Sequence, residues 1–218
     1  MTFLAADRIT QRFDRRLVIH NISLTAQSGV VVGITGENGA GKSTLLKILA
    51  GVLSPTSGSV TCAVGGKNVP NEERVQLIGF VAPYLTLYEE FTPLELMRHT
   101  AAMRGNTFEA AYADELLRIV RLYERRHDDL RSFSSGMKQR AKYALALLHR
   151  PPILLFDEPM TNLDTEGMTT VEQCISTQRN AGGIVIIATN DERDKRLCDY
   201  TVSVSALPAN KSSQKYES

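Results

Sequence analysis

Gly36-Glu37-Asn38-Gly39-Ala40-Gly41-Lys42-Ser43-Thr44 fits the pattern G-x-x-x-x-G-K-[ST] at every fixed position. Glycines at this spacing let backbone N–H groups converge on an anion, and a helix starting at the lysine adds partial positive charge. Lys42 would neutralise phosphate charge, while the Ser43 hydroxyl would ligate Mg²⁺. Further along, Ile153-Leu154-Leu155-Phe156 runs into Asp157-Glu158. A buried strand delivering an acid to its C-terminal edge is what a Mg²⁺ site beside a phosphate loop requires. Asp157 would hold the metal, directly or through water, and Glu158 is placed to polarise an attacking water.

The elements that must position these groups are visible around them. Val30 to Ile34 reads as a buried strand entering the glycine loop, and Leu45 to Ala50 as a helix leaving it and stopping at Gly51. Strand, loop and helix together imply a site for a nucleoside triphosphate. Residues from about Thr2 to Ala26 suggest two or three short strands with a turn around Asp14-Arg15-Arg16. Further strands are predicted at Val60–Val64, Leu77–Val81, Ile153–Phe156, Ile184–Ala188 and Tyr200–Val204, with a helix over Thr165–Arg179. From about Pro93 to His149 the pattern is helical. Continuous apolar strands alternating with helices argue for a mostly parallel, covered sheet. The expected fold is α/β: a P-loop NTPase core, an N-terminal antiparallel β subdomain and an inserted α-helical subdomain at about 84–150. The segment 207–218, polar and rich in Lys and Ser, reads as a disordered tail.

Composition narrows the function. The 218 residues carry 25 basic and 24 acidic side chains, so the formal net charge is +1 and no nucleic-acid-coating surface is expected. A 43% hydrophobic content supports a sizeable core. No apolar run approaches the roughly 18–20 residues that span a bilayer, and Met1 to Arg8 lack the build of a signal peptide, so a cytoplasmic location is expected. Cys62, Cys174 and Cys198 are scattered and read as buried free thiols. His20, His99, His127 and His149 are equally dispersed, and no zinc spacing exists. The stretch bearing Arg118, Arg121, Arg125, Arg126 and Arg131 is interleaved with Glu124, Asp128 and Asp129 and reads as a solvated helix face rather than a nucleic-acid patch.

Phe133-Ser134-Ser135-Gly136-Met137-Lys138-Gln139-Arg140 precedes Ala141, Ala144, Leu145 and Leu148 at helical spacing. Hydroxyls and a glycine at a helix start make either an ordinary N-cap or a second anion site. With all three motifs in order, the chain resembles the ATP-binding subunits of ABC transporters over residues 2–206. In that family the signature loop reads Leu-Ser-Gly-Gly-Gln; Ser134, Ser135, Gly136 and Met137 stand in its place here. Pro159-Met160-Thr161-Asn162-Leu163-Asp164 resembles the family's D-loop, and Phe13 lies where the family has an adenine-stacking aromatic, plain core packing being its alternative. The resemblance implies ATP and Mg²⁺ as cofactors and a head-to-tail pair of ATPase domains, a homodimer or a pairing with a paralogue. In such a pair, Ser134 and Gly136 would close over the neighbour's γ-phosphate. A separate transmembrane permease would complete the transporter and hold the chain at the inner face of the membrane.

Two departures from the family matter. Ala82-Pro83-Tyr84 occupies the stretch where relatives carry a glutamine, and Asn190 stands where they carry a histidine that contacts the γ-phosphate. An amide donates a hydrogen bond but carries no charge, so slow hydrolysis is expected. Leu85, Leu87, Tyr88 and Phe91 offer either an apolar patch for the membrane partner or part of the helical insert's core. The rival functional reading is a nucleotide-gated regulatory or weakly hydrolysing subunit. A soluble ATPase acting on DNA or ribosomes fits less well, since such relatives carry long insertions or a second ATPase domain.

Overall fold

The computed structural model describes residues 1–161 and 163–205. Two long strands, β1 (Thr2–Phe13) and β2 (Arg16–Gln27), form a hairpin turning at Asp14-Arg15. They are 12 residues each rather than the short pieces expected. The reason lies in irregular register: shifts between Ala6 and Ile9 and between Ile9 and Arg12 break the alternation of the sequence but not the pairing. Next come β3 (Val31–Thr35), α1 (Lys42–Leu49), β4 (Ser57–Val64), β5 (Lys67–Val69), α2 (Asn71–Arg74) and β6 (Ile78–Val81). The helices α3 (Pro93–Met103), α4 (Ala110–Ile119) and α5 (Ser135–Leu147) follow, before β7 (Ile153–Asp157), α6 (Thr165–Asn180), β8 (Ile184–Ala188), α7 (Glu192–Lys195) and β9 (Tyr200–Ser203).

Two sheets result. One is antiparallel, in the order β2-β1-β4-β5; the other is parallel, in the order β6-β7-β8-β3-β9. The inner strands β3, β7 and β8 are buried and mainly apolar because both faces are covered, whereas the edge strand β9, Tyr200-Thr201-Val202-Ser203, is largely exposed. Ile153 and Leu155 of β7, with Ile184 and Ile186 of β8, pack with α1 and the antiparallel sheet. Leu154, Phe156, Val185 and Ile187 face the helical side instead. Thr92 starts α3 with a reciprocal cap: its Oγ1 accepts from the Glu95 N–H at 3.2 Å and its own N–H donates to Glu95 Oε2 at 3.0 Å. Pro93 in the first turn completes this start signal. Among the described residues, no helix is long and apolar enough to cross a membrane. The proposed tail at 207–218 and Asn162 of the D-loop stretch lie outside the described residues.

The arginine-dense stretch is not a helix face. α4 ends at Ile119, and the rest lies in tight turns. Tyr123 is sandwiched between Arg118 and Arg126, whose guanidinium carbons lie 3.9 and 4.0 Å from its ring centroid. Arg121 pairs with Glu166 at 2.6 Å. The Tyr123 contacts are local, made by the turns after α4, whereas the Arg121–Glu166 pair spans 45 residues and comes from tertiary folding, which charge spacing alone could not reveal. Cys62 and Cys174 are buried free thiols, whereas Cys198 is half-buried.

A buried cation ties β4 of the antiparallel sheet to α1 and α2. Arg74 is 3% exposed; its Nη2 donates to the Ile48 carbonyl in the last turn of α1 at 2.9 Å, and its Nη1 donates to Asn71 Oδ1 at 2.9 Å and the Val60 carbonyl of β4 at 3.3 Å. Burial lowers its pKa, opposed by the neighbouring Cys62. Truncation would take a donor from each of those oxygens, leaving the Ile48 carbonyl only the Gly51 N–H, and open a void. Arg74→Ala is expected to cost about 2–4 kcal/mol, seen as a lower urea midpoint at unchanged slope, with Arg74→Met losing less.

Candidate functional site

The parallel register brings the site together before any side chain acts. Ile34 of β3 and Asp157 of β7 both pair with Ala188 of β8, so the three strands end level. The glycine loop, Thr189-Asn190 and Asp157-Glu158 therefore leave the sheet along one edge. Open parallel sheets bind ligands outside the carboxyl ends of their strands, and this edge faces the β1–β2 hairpin. Phe13 and Arg16 are a cross-strand pair at the hairpin's tip. With Val18, Asn38, Gly39, Gly41, Lys42, Ser43, Thr44 and Glu158 they line a cleft of about 290 Å³. Phe13 is 47% exposed, which removes core packing as its alternative. Arg16 and Val18 were missed by sequence reasoning; hairpin pairing opposite Phe13 is the signal that could have found Arg16.

The loop's conformation belongs to its glycines. Gly36, Gly39 and Gly41 have φ of 146°, 81° and 103°, all in the left-handed half of the map. A Cβ at Gly36 would lie 2.1 Å from the Val204 carbonyl oxygen. Ala40 is buried beneath the loop. α1 begins at Lys42 with no side-chain cap and no acidic residue in its first turn, leaving its first N–H groups free for an anion. Lys42 is 6% exposed, and its ammonium donates to the Gly36 carbonyl at 2.7 Å, the Glu37 carbonyl at 3.2 Å and Asn190 Oδ1 at 3.1 Å. Burial lowers its pKa, and the charges of Glu158 and Asp157 oppose that. Asn190 also donates from Nδ2 to Asn38 Oδ1 at 2.7 Å, tying the β8 exit to the loop.

Asp157 is buried beside Ser43. Burial raises its pKa, the Ser43 side chain acts against this, and Glu158 adds to the rise. A hydroxyl and a carboxylate are the hard oxygen donors that Mg²⁺ takes alongside phosphate oxygens and water. An uncapped helix start, a glycine loop and a buried ammonium likewise suit a triphosphate, so the residues fit both cofactors. Glu158 follows with φ 49° and its N–H donates to the Ala188 carbonyl at 2.8 Å, an uncommon backbone for a residue with a side chain.

The stretch that lacks a glutamine is held differently. Lys142 of α5 donates to the Pro83 carbonyl at 2.9 Å and the Ala82 carbonyl at 3.4 Å. The Tyr84 ring lies under the Lys47 ammonium at 4.8 Å, and burial together with the charge of Asp157 pushes its phenol up to about 12. Leu87 and Phe91 pack against the helical-side core, while Tyr88 is 67% exposed, so the expected apolar patch is divided.

The remaining motif stands apart. Ser134 caps α5, its Oγ accepting from the Met137 N–H at 3.2 Å, and Ser134 and Ser135 are exposed. A Cβ at Gly136 would meet nothing within 4 Å. None of Ser134, Ser135, Gly136 or Met137 lines the loop's cleft. A larger cavity of about 370 Å³, lying between α4, the end of α5 and α6, includes none of the motif residues either. Asp164 caps α6 through the Gly167 N–H at 2.7 Å, and the Tyr143 hydroxyl donates to the Pro159 carbonyl at 2.7 Å.

Comparison with known proteins agrees with this geometry. The family model described as ABC transporter matches residues 19–161. The chain belongs to the ABC transporter family. Among curated ABC relatives, it is 33% identical over 202 residues to the linearmycin resistance ATP-binding protein LnrL of Bacillus subtilis (strain 168), covering 90% of this chain and 64% of that protein. It is 35% identical over 204 residues to the lipoprotein-releasing system ATP-binding protein LolD of Bacteroides fragilis (strain YCH46), covering 89% of this chain and 94% of that one. A solved ATP-binding subunit of an ABC transporter superposes with a TM-score of 0.82 at 28% identity, covering 93% of this chain and 85% of that chain. The chain thus spans a little under two thirds of the length of LnrL and nearly all of LolD.

Behind Asn190, the ABC fold places one buried acid. Asp194 is 1% exposed; its Oδ2 accepts from Thr189 Oγ1 at 2.6 Å, and its Oδ1 has no partner among the described residues. Burial, opposed by the Thr189 bond and reinforced by Asp191 and Glu158, raises its pKa from 3.8 to about 6. A folded-state pKa above the unfolded one gives stability that is complete below about pH 3.8 and lost as pH rises through about 6. Asp194→Asn is expected to remove that dependence, gaining on the order of 2 kcal/mol relative to the parent between about pH 4 and pH 7. Urea unfolding across this range measures it.

Proposed function

We propose that this chain hydrolyses ATP at the interface of a head-to-tail pair and so drives a separate membrane permease. The observation that carries the reading is the split between the two halves of the site: the phosphate loop, Asp157, Glu158 and Asn190 share one sheet edge, while the Ser134 turn lies elsewhere and open. A site divided in this way is completed by another copy or a paralogue. The names of the relatives, a resistance ATP-binding protein and a lipoprotein-releasing one, support transport as the task.

In this reading the loop N–H groups and Lys42 bind the β- and γ-phosphates, and Phe13 stacks on the adenine. Ser43 and Asp157 would hold Mg²⁺, which supplies charge neutralisation to the phosphates when bound. Glu158 orients a water and takes its proton as the water attacks the terminal phosphorus, while the bond from that phosphorus to the β-phosphate oxygen breaks and ADP leaves with the oxygen. Asn190, which accepts from Lys42 at Oδ1 and donates from Nδ2 to Asn38, turns an Nδ2 proton from Asn38 to the terminal phosphate. Ser134, Ser135, Gly136 and Met137 present hydroxyls and N–H groups to the neighbour's nucleotide. The permease would hold the pair at the inner membrane face, and no nucleic acid takes part.

Two outcomes test this. Glu158→Gln should keep ATP bound, lower turnover by about 10²–10⁴-fold and trap an ATP-dependent dimer on size exclusion; monomers throughout would refute the pairing. With Pro83 in place of glutamine and Asn190 in place of histidine, turnover should be slow. Asn190→His in the assembled complex should raise it by about tenfold or more, because a charge-assisted contact to the transition state is typically worth about 2–4 kcal/mol. Unchanged turnover would mean Asn190 is not the limiting group.

A further inference from the structure

Arg125 touches residues on both sides of Ser134 without touching Ser134 itself. Its Nη2 donates to Ser132 Oγ at 3.0 Å, its Nη1 lies 3.7 Å from Met137 Sδ, and its guanidinium carbon is 5.0 Å from the ring centroid of the buried Phe133. The remaining nitrogen, Nε, donates to Asp128 Oδ2 at 2.8 Å, which fixes the plane of the fork. Ser132 Oγ in turn donates to the Asp129 carbonyl at 2.8 Å, and the Met137 N–H closes the cap on Ser134. The turn is thus pinned before its exposed tip through residues 132 and 133, and after it through residue 137.

We propose that Arg125 is a positioning residue that holds the Ser134-Ser135-Gly136 turn in the shape that receives a neighbouring protomer's nucleotide. This rests on the reading given above for Ser134 and Gly136. An exposed ion pair alone contributes little, and the Arg125–Asp128 pair is about half exposed. What distinguishes Arg125 is that one planar fork serves a carboxylate, a hydroxyl and an aromatic face together. Lysine has a single ammonium and no plane to do so. The neighbouring arginines act differently: Arg118 and Arg126 stack on Tyr123. Arg118 therefore serves as an internal control of like charge.

The test uses the full chain carrying Glu158→Gln, with three readouts: ATP-driven pairing by sedimentation, binding of a fluorescent ATP analogue to the dilute monomer, and amide exchange over residues 135–137. Adding Arg125→Ala is expected to weaken pairing by about tenfold or more and speed exchange, with monomer nucleotide binding unchanged. Arg125→Lys should recover little of the pairing, and Arg118→Ala should behave as the parent. Pairing and exchange like the parent's in Arg125→Ala would overturn the proposal. If that variant unfolds, Ser132→Ala, which removes one prong, decides the same point: parent-like exchange and pairing there overturn it. If Ser134→Ala pairs as strongly as the parent, the assignment of the turn to the neighbour's nucleotide fails. Exchange at 135–137 then still reports separately whether Arg125 holds the turn.

Discussion

The row Ile34–Ala188–Asp157 is the constraint on which the rest depends. Parallel strands cannot slip by one residue without turning every side chain to the opposite face. Here both faces are apolar and filled, by α1 and the antiparallel sheet on one side and the helical layer on the other. The level ending of three strands is therefore enforced by the whole core. It brings around one ammonium two loop carbonyls, an amide and two acids whose sequence positions span more than half the chain.

That ammonium explains why the edge holds together before a nucleotide arrives. Lys42 is buried and needs acceptors, and it finds them in Gly36, Glu37 and Asn190. Burial of a cation is costly without partners, so the loop wraps around the charge it offers to phosphate. Asn190 takes part because an amide presents an acceptor to Lys42 and a donor to Asn38 at the same time.

The strand–loop–helix unit was legible because its signal is local: an apolar run, glycines at fixed spacing, then helical periodicity. β7, α6 and β8 were equally plain, with bounds within a residue of those found. The hairpin's length was not, since backbone irregularities at Arg8 and Asn21, with φ of 50° and 54°, interrupt alternation without ending the strands. Arg16 joins the cleft through cross-strand pairing, Arg74 gains its role from a carbonyl 26 residues away, and Arg125 from a ring and a sulfur that the turns before α5 bring round to it. Such partners are properties of the fold, and charge patterning reads all arginines alike.

Glu158 carries the last consequence. A left-handed backbone at a residue with a Cβ costs on the order of 1–3 kcal/mol, and Glu158 adopts it at φ 49°. Glycine would sit there at ease, and a β-branched residue hardly at all. If its carboxylate serves the water as proposed, the chain is held below the resilience its own scaffold could reach, and random drift toward a sturdier protein would pass through a silent one.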